Sequence, residues 1–216
     1  MKHILWDWNG TLLDDTRAAL DTLNLMLRKR GGRPIGMEFY LDNFAFPVRP
    51  FYERIGVALA DEDWNALAQE YHDLYALQPK GLNRDTFAAL EAVKAAGARQ
   101  SIISALRQDL LDDVTAELGV APYMDCIYGV DNLDGASKLD RALELMTALT
   151  TESGGRPPDV VLIGDALHDK EVADALGVRC VLCAQGSHAA WRLAAVAPTG
   201  GTLLEAVALA LSPAHA

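Results

Sequence analysis

Asp7 follows directly on the apolar run His3-Ile4-Leu5-Trp6 and precedes Trp8, Asn9, Gly10, Thr11 and Leu12. Such a run reads as a short buried strand, and a carboxylate at its tip is costly to bury unpaired. It calls for a cation, a nest of N–H donors or a catalytic purpose; capping a turn is the other reading open to it. Gly164-Asp165-Ala166-Leu167-His168-Asp169 sets two further carboxylates four residues apart, where a second apolar run gives way to a helix. Both can aim at one cation, and oxygen ligands without cysteine suit a hard octahedral ion, Mg²⁺ before softer metals. A cap of the helix it precedes is the lesser reading of Asp169. Ser104 closes a third apolar run, and a helix starting at Leu106-Arg107 would make its hydroxyl and the following N–H groups an anion site, a plain N-cap serine being an equally good reading. Lys138 falls in the first turn of a helix, where the dipole disfavours a cation and a compensating phosphate or carboxylate neighbour is one reading, a solvated surface lysine being the default one.

The elements that must hold these side chains alternate along the chain. After the first strand, helices are expected at Thr16–Arg30, Met37–Phe44, Val48–Ile55 and Asp61–Gln78, with Asp14 or Asp15 capping the first and no strand between them. The last carries Trp64, Leu67, Ala68, Tyr71, Leu74 and Tyr75 on one stripe. From Arg84 onward helix and strand alternate: strands at 99–104, 125–130, 159–164 and 179–183, helices between them, and two Ala/Leu-rich helices at the end. Apolar strands alternating with helices imply a parallel sheet covered on both faces, a Rossmann-like three-layer α/β core. In such sheets ligands bind beyond the carboxyl ends of the strands, and three of those ends deliver Asp7, Ser104 and Asp165.

The chain has 216 residues, 50% hydrophobic and 23% charged, which excludes a disordered or fibrous protein. Lys plus Arg number 19 and Asp plus Glu 30, a net charge of −11, so nucleic acids and anionic membranes are poor partners. The amino terminus reaches Asp7 too early for a signal-peptide core, and no apolar run is long enough to span a membrane; a cytoplasmic location is expected. Three cysteines make no disulfide framework, and Cys180 and Cys183, three apart in a strand, point to opposite faces rather than to one metal.

The ordered set Asp7, Ser104, Lys138 and Asp165 with Asp169 resembles the four motifs of the haloacid dehalogenase superfamily of hydrolases, over nearly the whole chain. The resemblance implies a core at 1–14 and 82–216 and a helical cap at 15–81, as in phosphoglycolate phosphatase-like members. It implies that Asp7 is the nucleophile and becomes an aspartyl phosphate, and that Ser104 and Lys138 hold the phosphoryl oxygens. Mg²⁺ would be bound by Asp7, the Asn9 carbonyl and Asp165, with Asp169 supporting the metal site. The substrate implied is a small phosphorylated metabolite. Phosphoryl transfer between anions needs the charge neutralisation that a divalent cation and a lysine provide.

Asn9 departs from the pattern, because phosphatases of the superfamily have there an aspartate that protonates the leaving group and then activates water. An amide cannot carry that proton. Dehalogenase and phosphonate-cleaving branches also lack the acid. The Asp165 and Asp169 pair speaks against the former, and Lys29 and Lys80, not clearly placed to form an imine, against the latter. A phosphate-binding regulatory protein, weakened in turnover, is the remaining alternative, and Asp7 with Lys138 favours the enzyme. His168 is the nearest substitute for the missing acid by sequence, or an ordinary loop histidine. Substrate choice would reside in the cap: Arg49, in Phe46-Pro47-Val48-Arg49-Pro50, either meets a carboxylate or second phosphate or is solvated, and Trp8 either walls the site or packs in the core.

Overall fold

The structure is a computed structural model and describes residues 2–58, 63–130, 138–152, 154 and 159–213. Its first half contains β1 (Lys2–Trp6), β2 (Leu13–Asp14), α1 (Thr16–Lys29), α2 (Met37–Asn43), α3 (Val48–Ile55), α4 (Trp64–Ala76), β3 (Gly81–Leu82) and α5 (Thr86–Ala95). There follow β4 (Arg99–Arg107), α6 (Gln108–Glu117), β5 (Ile127–Val130), α7 (Leu139–Glu152), β6 (Asp159–Gly164) and α8 (Leu167–Leu176). The last elements are β7 (Arg179–Cys183), α9 (Ala190–Ala194), β8 (Thr199–Gly200) and α10 (Leu203–Leu211).

Six parallel strands form one sheet in the order β5-β4-β1-β6-β7-β8, the expected Rossmann-like α/β core. Each inner strand is apolar on both faces, because helices cover both. In β1, Ile4 and Trp6 join one core cluster and Leu5 the other; β6 divides Val161 and Ile163 from Val160 and Leu162. Cys180 and Cys183 fall into opposite clusters as free thiols, and burial pushes the Cys183 thiol up to about 12. A third cluster belongs to the helices of the first half, where Leu20, Leu23 and Leu27 of α1 meet Tyr40, Phe44, Phe51 and Leu67. The chain runs from β1 out to β4 and β5 and then returns to β6 on the other side of β1. The carboxyl end of β1 is therefore the switch point of the sheet, where such folds bind ligands.

Several boundaries differ from the sequence reading. β4 does not stop at Ser104: its pairing with β5 shifts register between Ile103 and Arg107, and α6 begins at Gln108, not at Leu106-Arg107. Gly129 permits this, since a side chain there would strike the Leu106 carbonyl oxygen at 2.6 Å, and the Gln108 side chain bonds the Gly129 N–H and the Ile127 carbonyl. β2 and β3, not expected from the sequence, pair antiparallel where the chain leaves and re-enters the sheet region. Two residues each are too short to show a period of two. α4 begins at Trp64, capped by Asp63, whose carboxylate accepts from the Asn65 N–H. The expected helix start at Asp61 lies outside the described residues, as does the stretch of chain that leads from β5 to Lys138.

Candidate active site

Asp7 leaves the tip of β1, with its own N–H bonded to the Ile163 carbonyl of β6. Asp165 leaves the tip of β6, and Asp169 sits in the first turn of α8. One oxygen from each of the three carboxylates lies within 4.8 Å of the others, and all three are buried. Lys138, at the residue before α7, reaches into the cluster and donates to Asp7 and, at 2.6 Å, to Asp169. The carboxylate neighbours that the helix position of Lys138 called for are thus present. Asp169 is not the N-cap: α8 begins two residues earlier, with Ala166 at the cap position, and Asp169 in its first turn reaches back so that its Oδ2 accepts from the N–H groups of Asp165 and Ala166 at 3.0 and 2.9 Å, which leaves Oδ1 for the lysine.

Burial holds the Asp7 carboxyl at about 6, above its ordinary value, although Lys138 pulls it down. Asp165 is raised well above the usual range, by burial and then by the charges of Asp7 and Asp169. Burial works against the Lys138 charge, but Asp169 and Asp7 more than offset it, so its ammonium stays protonated. Three carboxylates against one ammonium leave unmet negative charge, which fits a divalent cation held by oxygen ligands.

Three residues that the sequence reading did not single out organise the cluster. The Thr11 hydroxyl lies 3.1 Å from Asp7 Oδ2 and 3.2 Å from Asp165 Oδ1, so it bridges the two. Ser187 gives Asp165 Oδ2 both its N–H and its hydroxyl, each at 2.6 Å. Its neighbour His188, kept neutral by burial with a pKa lowered to about 4, accepts from the Leu167 N–H and pins the start of α8. Glycine is required beside Asp165: Gly10 has φ +78°, and a side-chain carbon on Gly10 or Gly186 would lie 2.4 or 2.2 Å from its carboxylate. Thr11 stands in the Asp7 motif and was legible there; Ser187 is far along the chain and gives no local signal.

Ser104 is buried beside the cluster and lines the same cavity as Asp7 and Lys138. Its hydroxyl accepts from the Leu106 N–H at 3.0 Å, and because β4 continues, no helix N-terminus stands behind it. The Asn9 amide turns from the carboxylate cluster and donates to Asp15 at 2.8 Å and to the Tyr75 hydroxyl at 3.2 Å. Asp15 holds the helix-cap position of α1 but makes no cap; its carboxylate also accepts from the Gly10 N–H and the Tyr75 hydroxyl, and burial raises its pKa. Trp8 is fully buried, and it both packs in the core and lines the cavity. His168 lines it too, with Nδ1 at 3.1 Å from Glu171 and its ring against Phe46. Arg49 is not brought to the site: its side chain is 57% exposed, paired with Glu53 and laid over the Trp64 ring, which is its solvated reading.

A parallel α/β sheet that gathers a carboxylate trio and one lysine at its switch point is a Rossmann-like core with a buried polar site where such folds bind ligands. The chain belongs to the haloacid dehalogenase-like hydrolase family, whose model matches residues 4–183, and it is a hydrolase. It is 28% identical over 197 residues to the phosphoglycolate phosphatase of Xylella fastidiosa (strain Temecula1), covering 86% of this chain and 81% of that protein. The same fold is found in protein tyrosine kinase A of Mycobacterium tuberculosis (TM-score 0.75, 20% identity, 98% of each chain). It is also found in a haloacid dehalogenase-like protein of Agrobacterium tumefaciens (TM-score 0.74, 21% identity, 96% of each chain). Among the described residues no helix is long and apolar enough to cross a membrane.

Proposed function

We propose that the protein is a Mg²⁺-dependent phosphomonoester hydrolase that acts on a small phosphorylated metabolite in the cytoplasm through an aspartyl phosphate on Asp7. The observation that carries this reading is the convergence of Asp7, Asp165 and Asp169 within 4.8 Å, with Lys138 bonded to two of them. Membership of the hydrolase family and similarity to a phosphoglycolate phosphatase support it.

In this mechanism a carboxylate oxygen of Asp7 attacks phosphorus, the bond to the leaving oxygen breaks, and water then hydrolyses the acyl phosphate. Lys138 and Ser104 hold phosphoryl oxygens, and Thr11 fixes the rotation of Asp7 relative to Asp165. Asp7, Asp165 and the Asn9 carbonyl would hold the ion, with Asp169 supporting the site by orienting Lys138 and the Asp165 backbone. Bound there, a divalent cation offsets the repulsion between the nucleophile and the phosphate. Residues 15–81 act as a cap over a core of residues 1–14 and 82–216. The cap excludes water and, with Trp8 and His168, shapes the pocket. Arg49 has no part in substrate binding in this scheme.

Asn9 supports a second reading, a phosphate-binding protein with weakened turnover, because its amide is committed to Asp15 and Tyr75 and carries no proton to a leaving group. Phosphate release from a panel of phosphorylated metabolites, with and without Mg²⁺, separates the two. Mg²⁺-dependent release that Asp7→Asn abolishes supports the hydrolase; tight binding without release supports the binder.

A further inference from the structure

The cluster opens into a cavity of about 510 Å³, within the range of sites that enclose drug-sized molecules. Its walls are aromatic. Trp64, Tyr71 and Tyr75 of α4 and Tyr52 of α3 line it as a chain of ring contacts. Centroids lie 6.1 Å apart for Tyr52 with Trp64 and with Tyr71, and 5.7 Å for the stacked pair Tyr71 and Tyr75. The stripe on α4 thus faces a space as well as a core. Two buried polar atoms on the wall, Trp8 Nε1 and Thr16 Oγ1, have no hydrogen-bond partner among the described residues.

The charge of the lining points away from an anionic substituent. Beyond the metal-site carboxylates the cavity is lined by Asp15, Asp113 and Glu117, against the lysines Lys80 and Lys138 among the described residues. Both ammonium groups are engaged, Lys138 with Asp7 and Asp169, Lys80 with the carbonyls of Tyr75 and Gln78 at 2.6 and 2.8 Å. A substrate whose alcohol part carries a carboxylate would meet repulsion there and leave the aromatic walls bare.

We propose that the substrate of this site is a phosphate monoester carrying an uncharged aromatic group, an aryl phosphate. The proposal rests on the hydrolase reading and names its substrate class. Ring-on-ring contact and apolar burial supply the affinity. The chemistry of the first step agrees: when Asp7 attacks phosphorus and the P–O bond breaks, an aryloxide departs with the electron pair and takes its proton from solvent, so the acid missing at Asn9 costs that step little, while the activation of water in the second step is the same for every ester. Hydrolysis of the acyl phosphate then returns Asp7 and releases inorganic phosphate.

Isothermal titration calorimetry with Mg²⁺ and three stable phosphonates tests the class: 2-naphthylmethylphosphonate, methylphosphonate and phosphonoacetate. The naphthyl compound is expected to bind at least about tenfold tighter than methylphosphonate, as burial of one aromatic ring system allows, with phosphonoacetate no tighter than methylphosphonate and Tyr71→Ala narrowing the naphthyl advantage. Equal affinities, or phosphonoacetate as the tightest ligand, would overturn the proposal. Turnover of phenyl phosphate and of acetyl phosphate reads the hydrolase separately. Turnover without aromatic preference sinks the substrate class alone. Aromatic preference without turnover keeps the ligand class and sinks the hydrolase.

Discussion

Asp7→Asn should make the metal-free protein more stable while removing its chemistry. The substitution is nearly isosteric, Lys138 keeps Asp169 as a partner, and what disappears is a buried negative charge. Burial raises the Asp7 carboxyl from 3.8 to about 6, so the folded state holds a proton that the unfolded chain has released. The resulting cost is small below the unfolded value, grows as pH rises through the interval up to about 6, and is constant above it. At about 1.36 kcal/mol per unit it is on the order of a few kcal/mol near pH 7.5 and only a small fraction of that near pH 4. For a chain of this size about 1–3 kcal/mol corresponds to a rise of roughly 3–9 °C in Tm near pH 7.5. Thermal melts of both proteins in chelator at the two pH values measure it. A lower Tm for Asp7→Asn near pH 7.5, or a gain of the same size near pH 4, would refute the reasoning.

Mg²⁺ should raise the Tm of the wild type more near pH 7.5 than near pH 5, because the raised carboxyls of Asp7 and Asp165 must lose protons to accept the ion; equal shifts at both pH values would count against a site made of these groups. Asn9→Asp alone sets a second carboxylate against Asp15, at a contact the amide now makes at 2.8 Å, and should lower stability by about 1–3 kcal/mol. Exchanging the pair as Asn9→Asp with Asp15→Asn restores an amide opposite a carboxylate, and should recover that stability and raise kcat on alkyl phosphates at least about tenfold. A double-mutant cycle in denaturant, run beside the rates, checks both; additive stability changes would show that the contact carries no coupling.

The parallel sheet and the places of Asp7 and Asp165 were legible because apolar runs report buried strands and the residues just past them fall at one sheet edge; Lys138, at the start of a helix, was read through the resemblance. Asp15 was misread for a physical reason. An aspartate before a helix has the signature of a cap, and only tertiary structure brings the Asn9 amide and the Tyr75 hydroxyl to its carboxylate instead. Ser104 was placed correctly beside the cluster but given the wrong backbone, because Gly129 lets β4 continue past it. The stripe on α4 has the period of any packed helix, so sequence could not tell a core from a cavity wall. Arg49 lies in α3 as the expected helix had it, but on the exposed face, where Glu53 one turn on satisfies it. Ser187 and His188 reach the site from the loop after β7, where nothing local marks them.

The central claim is that Asp7 is phosphorylated during turnover. Incubating the protein with Mg²⁺ and acetyl phosphate, quenching in acid and mapping peptides by mass spectrometry tests it directly. One phosphoryl group is expected on Asp7, released by hydroxylamine as an acyl phosphate is, and absent from Asp7→Asn. Phosphate release in the absence of any adduct on Asp7, or an undiminished rate in Asp7→Asn, would contradict it.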